Sequence, residues 1–200
     1  MVRRSRQSHH FAYAVAAAAA SPPPPPPPPA PPALAVNDYN SQEAVDNDDD
    51  SCYYETHHNF FPFSSRGLKS DFGGHDNHHH NNIYISGDSC MGVTPQKPGH
   101  TDAFYNNTCL LAASNPTYAN FDTTGKYGKP AWPTMYENRV FTADGKAQES
   151  GYESIAAAQA AGHDIGSTVT VWPRDDEIVA MARALLGLRS APASAPGAHS

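Results

Sequence analysis

An asparagine followed by a short apolar or aromatic segment recurs along the middle of the chain, and this repeat limits the possible folds more than any other feature. The four copies are His58-Asn59-Phe60-Phe61-Pro62, Asn82-Ile83-Tyr84-Ile85, Asn107-Thr108-Cys109-Leu110-Leu111 and Asn138-Arg139-Val140-Phe141. Successive copies are 23, 25 and 31 residues apart. One short strand per period, with turn residues between, is typical of a solenoid in which each coil buries its apolar side on its neighbours. Chance recurrence of a common residue is the alternative.

Side chains alternate between the two faces of a strand, so the repeat also predicts which residues point inward. If Asn107 and Cys109 face the interior, then Asn106 and Thr108 face outward. The sequon that starts at Asn106 is the only glycosylation sequon of the chain. Its acceptor is therefore predicted to be exposed, as glycosylation requires.

Composition restricts the class of partner. The formal net charge is -7, and Lys and Arg form no cluster after Arg6. Nucleic acids need clustered basic residues, so this sequence argues against a nucleic-acid partner. Leu, Ile and Val are scarce and Tyr, Phe and Trp carry much of the apolar character, which favours a small, β-rich core.

The two ends of the chain are predicted to lie outside this core. Residues 1–20 have three arginines before an apolar run and resemble a secretory signal peptide; a transit peptide or a disordered alanine tract is the alternative. The run is too short to span a membrane. Residues 21–50 are proline-rich and then acidic, which predicts a disordered linker, with calcium capture by Asp48–Asp50 as an alternative. Residues 189–200 are predicted to be a disordered tail.

Two stretches near the end of the ordered part have helical character. Ser154 to Ala161 precedes a glycine, and a second stretch begins with three acidic residues and carries apolar residues at helical spacing from Ile178 to Leu186. We expect both to be short helices at the C-terminal end, the second capping the last coil.

Two segments resemble known proteins. Lys69 to Tyr84, and the C-terminal run that contains Ala143–Lys146 and Tyr152–Gly162, resemble coils of right-handed parallel β-helix proteins of the pectate-lyase-like type. The resemblance covers residues 51–188 and implies an all-β fold of few coils with C-terminal capping helices. It departs from the family in having a proline-rich leader where further coils usually stand, so docking on another β-helix chain is a second possibility.

The resemblance implies a function in polysaccharide binding or processing. Lyases of this fold need acidic groups, often with Ca²⁺, and a base, so the candidate catalytic residues are Lys69, Asp71, His75 and Asp76. Candidate substrate-binding residues are His78, His80, Trp132 and Tyr136, with polysaccharide as the expected partner and Ca²⁺ as a possible cofactor. Each of these residues could instead be structural, and no catalytic motif of the family matches.

A histidine-rich stretch supports another hypothesis, a metal-binding protein. His78 and His80 share one face of a strand while His79 points away, so a third ligand such as Asp71 or His100 would be needed. The spacing matches no known zinc motif. If the protein is secreted or associated with the cell wall, Cys90 and Cys109 on successive coils are expected to form a disulfide; three free thiols are the alternative. A non-catalytic assembly module is the remaining functional alternative.

Overall fold

A computed structural model describes residues 42–94, 97–121 and 132–188. The predicted signal peptide, the proline-rich segment and the C-terminal tail lie outside these residues. Within these described residues, twelve strands and two helices follow one another. They are β1 (Glu43–Asn47), β2 (Glu55–His57), β3 (Phe60–Ser70), β4 (His78–His80), β5 (Ile83–Val93), β6 (Ala103–Tyr105), β7 (Thr108–Leu111), β8 (Thr117–Phe121), β9 (Thr134–Tyr136), β10 (Arg139–Thr142), β11 (Gln148–Glu149), α1 (Ile155–Ala160), β12 (Thr168–Val171) and α2 (Asp175–Leu185).

The strands stack in parallel, coil upon coil. The larger sheet has the order β1-β3-β5-β7-β10-β12, with β8 beside β5 and β11 beside β8, and the smaller sheet has the order β2-β4-β6-β9. All pairings between these strands are parallel. The chain therefore forms a right-handed parallel β-helix of about five turns, which confirms the predicted fold class.

The repeated asparagines form a ladder through the interior. The backbone N–H of Asn59 donates to Oδ1 of Asn82, that of Asn82 to Asn107, and that of Asn107 to Asn138, each over 3.0 Å. Each side-chain amide group in turn donates to a backbone carbonyl, as Asn107 does to His79 at 2.9 Å. Only a side chain with both donor and acceptor can satisfy these buried groups on two coils, which explains the repeat.

The residue before each ladder asparagine makes a sharp corner between the two sheets. His58, Asn81, Asn106 and Glu137 all have positive φ, between 51° and 56°. A left-handed residue reverses the local direction of the chain, and Asn tolerates this conformation better than most residues. We call this row of four residues the corner row.

The core lies between the two sheets. Its most buried large side chains include Tyr84, Phe104 and Leu68, and the ring of Tyr84 stacks on that of Phe61 with the centroids 5.1 Å apart. A disulfide joins Cys90 of β5 to Cys109 of β7, with 5.8 Å between the Cα atoms. The pairing expected from the sequence is thus the one in the structure, and Cys52 is left free.

Strand β1 differs from the prediction, because residues 43–47 were expected to belong to a disordered acidic linker. The strand pairs with β3 in the register Glu43 to Arg66 and Asp46 to Lys69. The two basic residues of β3 lie 3.7 and 3.3 Å from the paired carboxylates. The ordered unit thus begins before residue 51, because charges on the next coil neutralise an acidic segment that looks self-repelling when taken alone.

Helix α2 covers the side of the larger sheet. Its Ile178 is buried against Ile83 of β5 and Leu110 of β7, two outward-facing residues of earlier coils. Phe60 and Phe141 pack around this contact. The helix begins at the predicted acidic residues and buries the predicted apolar stripe, but that stripe lies along several coils and is not confined to the last one.

Candidate functional site

A groove of about 360 Å³ runs between the corner row and helix α2. This volume falls within the range of roughly 300–1,000 Å³ typical of small-ligand sites. Residues from four successive coils and from the helix line it. They are His58, Asn81, Asn82, Ile83, Asn106, Thr108, Arg139, Met181, Ala184 and Leu185.

The polar wall of the groove repeats from coil to coil. Asn106 donates a side-chain hydrogen bond to Asn81, whose amide group also lies 2.7 Å from a ring nitrogen of His80. An amide side chain has two donor hydrogens and two acceptor lone pairs, so these contacts leave capacity for a ligand. The wall therefore offers hydrogen-bonding groups at intervals of one coil.

Arg139 supplies the positive charge of the groove. Its Nη2 donates to the hydroxyl of Thr108 over 2.8 Å, and within the described part of the chain no carboxylate lies within ion-pair distance of its guanidinium. Arg139 is exposed, whereas Thr108 beneath it is buried. A guanidinium with free donors in a groove is suited to a carboxylate or another planar anion.

The opposite wall is apolar. Met181 and Leu185 of α2 are half-buried and face the groove, and Ile83 of β5 lies with them in one apolar cluster. The groove thus combines an apolar wall, a row of amides and one cation. This combination fits the two kinds of surface of a sugar ring, its apolar C–H face and its hydroxyl edge.

Two of the predicted substrate-binding residues lie beside the groove in a stack of rings. His57, His80, Tyr105 and Tyr136 occupy equivalent positions on successive coils, and neighbouring ring centroids are 5.2, 4.8 and 4.7 Å apart. The rings are nearly parallel, so their faces cover one another and mainly their edges are available. The stack holds the coils in register. His80 and Tyr136 remain predicted substrate-binding residues, but only the edges of their rings could contact a substrate.

The other two predicted substrate-binding residues lie elsewhere. His78 is exposed at the opposite end of β4. Trp132 is half-buried, packs edge-on against Phe121 and stacks on His163 with centroids 4.5 Å apart. The structure therefore does not bring the four residues together in one surface.

Two of the candidate catalytic residues form a charged cluster on β1, β3 and the turn that follows it. Nζ of Lys69 lies 3.3 Å from Asp46, 3.6 Å from Asp48 and 3.3 Å from Asp71. Burial raises the pKa of Asp71 to about 6, assisted by its hydrogen bond with Asp48. Partial burial disfavours the ammonium of Lys69, but the hydrogen bond to Asp46 and the charge of Asp71 outweigh it and raise the pKa of Lys69.

The charged cluster has consequences for the predicted chemistry. A lysine with a raised pKa stays protonated near neutral pH and is a poor base. The three carboxylates lie close enough together to hold a metal ion, but the ammonium of Lys69 lies among them and offsets part of their negative charge, so Ca²⁺ would have to displace it. Calcium binding remains a prediction.

The remaining candidates, His75 and Asp76, lie in the turn before β4. They group with His100 of the next coil, one of the two third ligands suggested by the sequence. Neither residue lines the groove. Sequence reasoning missed the groove residues Asn81 and Arg139. An asparagine directly before Asn82 and another before Asn107 were a usable signal for Asn81, but no motif pointed to Arg139.

Comparisons with known proteins identified no relative of this chain. A scan against protein-family models, a search of curated proteins and a search of solved structures each gave no significant match. The resemblance to pectate-lyase-like proteins is therefore supported at the level of the β-helix fold alone. Among the described residues, no helix is long and apolar enough to cross a lipid bilayer.

Proposed function

We propose that the protein is a polysaccharide-binding β-helix module of the secreted or wall-associated kind, and that it binds an acidic sugar chain in the groove between the corner row and α2. The observation that carries the proposal is the position of Arg139, an arginine without a carboxylate partner among the described residues, between an apolar wall and a row of amides. A uronate has the three matching features, which are a carboxylate, an apolar ring face and hydroxyl groups.

Binding, rather than cleavage, is the proposed activity. Glycosidases need a pair of carboxylic acids at the scissile bond, and the groove-lining residues in the described structure include none. Lyases need a base near the sugar ring, and the predicted base Lys69 lies in a cluster of carboxylates on another surface. The groove therefore has the groups to hold a sugar chain and lacks the carboxylate pair of a glycosidase, and its one lining imidazole, that of His58, lies in hydrogen-bond contact with His57.

Isothermal titration with a uronate trisaccharide tests the proposal. The protein is produced in a bacterial host so that Asn106, a groove residue and predicted glycosylation site, carries no glycan. Charge-assisted hydrogen bonds contribute about 1.5–3 kcal/mol, so R139Q is expected to weaken binding about 10- to 100-fold. R174Q is the matched control, because it removes the same charge outside the groove, where Arg174 lies beside Asp176.

The methyl ester of the same trisaccharide separates charge recognition from general affinity. The ester keeps the ring faces and hydroxyls but lacks the carboxylate, so wild-type protein should bind it more weakly and R139Q should change its affinity little. Equal affinity of the wild type for acid and ester, or equal weakening by R139Q and R174Q, would contradict the proposal.

A further inference from the structure

His75, Asp76 and His100 form a compact cluster outside the groove. Each offers one ligand atom, and these atoms all lie within 4.8 Å of one another. His75 and His100 occupy the same position on successive coils, with ring centroids 4.5 Å apart at an angle of 65°. Parallel stacking of coils thus brings together residues that are 24 and 25 positions apart in sequence.

The imidazole of His75 is oriented by the backbone. The residue is 5% exposed, and its Nδ1 lies 2.7 Å from the carbonyl oxygen of Gly73. A carbonyl can only accept, so Nδ1 carries the hydrogen and Nε2 keeps its lone pair. Metal-binding histidines typically have this arrangement, in which a second-shell acceptor fixes the tautomer and the ring.

Asp76 and His100 complete the set of donors. Nδ1 of His100 lies 2.5 Å from Oδ2 of Asp76, and the backbone N–H of Thr101 donates to the other carboxylate oxygen at 3.4 Å. The side chains of His100 and Asp76 are 38% and 27% exposed, so an ion can reach them from solvent.

We propose that His75, Asp76 and His100 bind one divalent transition-metal ion, with zinc as the committed occupant. Two imidazole nitrogens and one carboxylate oxygen suit Zn²⁺ or its neighbours better than Ca²⁺ or Mg²⁺, which take oxygen donors. Zinc lies about 2.0–2.2 Å from such ligands, so modest side-chain rotations bring the three atoms onto one ion and a fourth position stays open to water or another ligand. The ion replaces the proton between His100 and Asp76 and joins two coils.

A second cluster of possible metal ligands among the described residues consists of three carboxylates. The carboxylates of Asp46, Asp48 and Asp71 also lie within 4.8 Å of one another, but the ammonium of Lys69 lies 3.3 to 3.6 Å from all three and occupies the position that an ion would take. In the cluster of His75 and His100 the comparable position is taken by a single proton, which a metal displaces readily. The proposed zinc site is therefore the histidine cluster and not the carboxylate cluster.

Zinc retention by the untagged full-length chain tests the proposal. The protein is loaded with zinc, dialysed, and analysed for zinc per chain by mass spectrometry, and affinity is measured by competition with a chelator. H100N and D76N are expected to retain one zinc fewer than wild type and to bind at least about tenfold more weakly. H78N is the matched control, since His78 is exposed in the same histidine-rich stretch, and it should retain the wild-type amount.

Two further measurements keep the result unambiguous. The free Cys52 lies beside His75, because the backbones of the two residues pair in an isolated parallel β-bridge. Its thiol is not among the three proposed ligands, so C52S is expected to retain zinc. Loss of zinc in C52S would contradict a three-residue site. Co²⁺ substitution should give the visible absorption of a tetrahedral nitrogen and oxygen site in wild type but not in H100N. Equal zinc retention by wild type, H100N and D76N, all with the same circular dichroism, would overturn the assignment.

Discussion

Replacing Glu149 by Gln is expected to make the protein more stable at neutral pH. Glu149 of β11 is 2% exposed, and its Oε2 has no hydrogen-bond partner among the described residues. Burial raises the pKa of this carboxyl to about 8, and the nearby charge of Asp164 adds to the effect. The group is therefore protonated in the folded protein at pH 7 and ionised in the unfolded chain.

The sign and size of the effect follow from this difference. A carboxyl whose folded pKa is raised favours the folded state below its unfolded value of 4.5, and this contribution is lost as the pH rises toward 8. Each pH unit in that interval costs about 1.4 kcal/mol. At pH 7 the ionisation of Glu149 in the unfolded state thus costs about 3 kcal/mol, an amount that E149Q removes.

Urea denaturation of wild type, E149Q and E153Q between pH 4.5 and 8 measures this effect. The free energy of unfolding of E149Q relative to wild type should rise with pH by about 3 kcal/mol between pH 4.5 and 7. Any packing loss in E149Q is independent of pH and shifts the whole curve. E153Q removes an exposed carboxylate of the same segment and should follow wild type. Parallel pH profiles for wild type and E149Q would refute a buried, protonated Glu149.

Three further predictions are tested by the same denaturation measurement. A methyl group at Gly67 would lie 2.2 Å from a carbonyl oxygen of the next coil, whereas one at Gly87 would lie 3.6 Å from its nearest atom. G67A should therefore lower the free energy of unfolding by at least about 2 kcal/mol, and G87A should change it little. Equal losses in the two variants would contradict the close approach at Gly67. N107A should cost about 2–4 kcal/mol because it leaves ladder groups unpaired, while N106G, which keeps the left-handed corner, should cost less than 1 kcal/mol; an equal loss would refute the ladder. Burial lowers the pKa of His79 to about 3, so the free energy of unfolding should decrease as the pH drops from 6.5 toward 3. H79N should show a smaller decrease over this pH range. The same decrease in H79N as in wild type would contradict a buried, neutral His79.

The fold could be predicted because its main determinant is local and repeated. Each ladder asparagine must satisfy backbone groups on two coils, so the same residue type recurs once per coil and is visible in the sequence. Strand β1 could not be predicted, because the charges that neutralise Glu43 and Asp46 come from Arg66 and Lys69 on the next coil. Local composition does not contain that information.

The two proposed sites were less accessible to sequence reasoning. The groove needs Asn81, Arg139 and Met181, which come from separate coils and a helix whose packing position no motif specifies. The histidine cluster was accessible in part, since His75, Asp76 and His100 were each considered from the sequence. The candidate set that combined Lys69 with His75 came from proximity in the chain, and the structure places these residues in different clusters.

Both sites exist only if successive coils stack in the register of the asparagine ladder, so hydrogen exchange of the ladder amides is the most direct test. The backbone N–H groups of Asn82, Asn107 and Asn138 each donate to a buried side chain of the next coil. Residue-resolved exchange should show these three amides among the most protected of the chain, exchanging only on global unfolding. Fast exchange at these positions in a protein with native circular dichroism would contradict the stacked coils and both sites built on them.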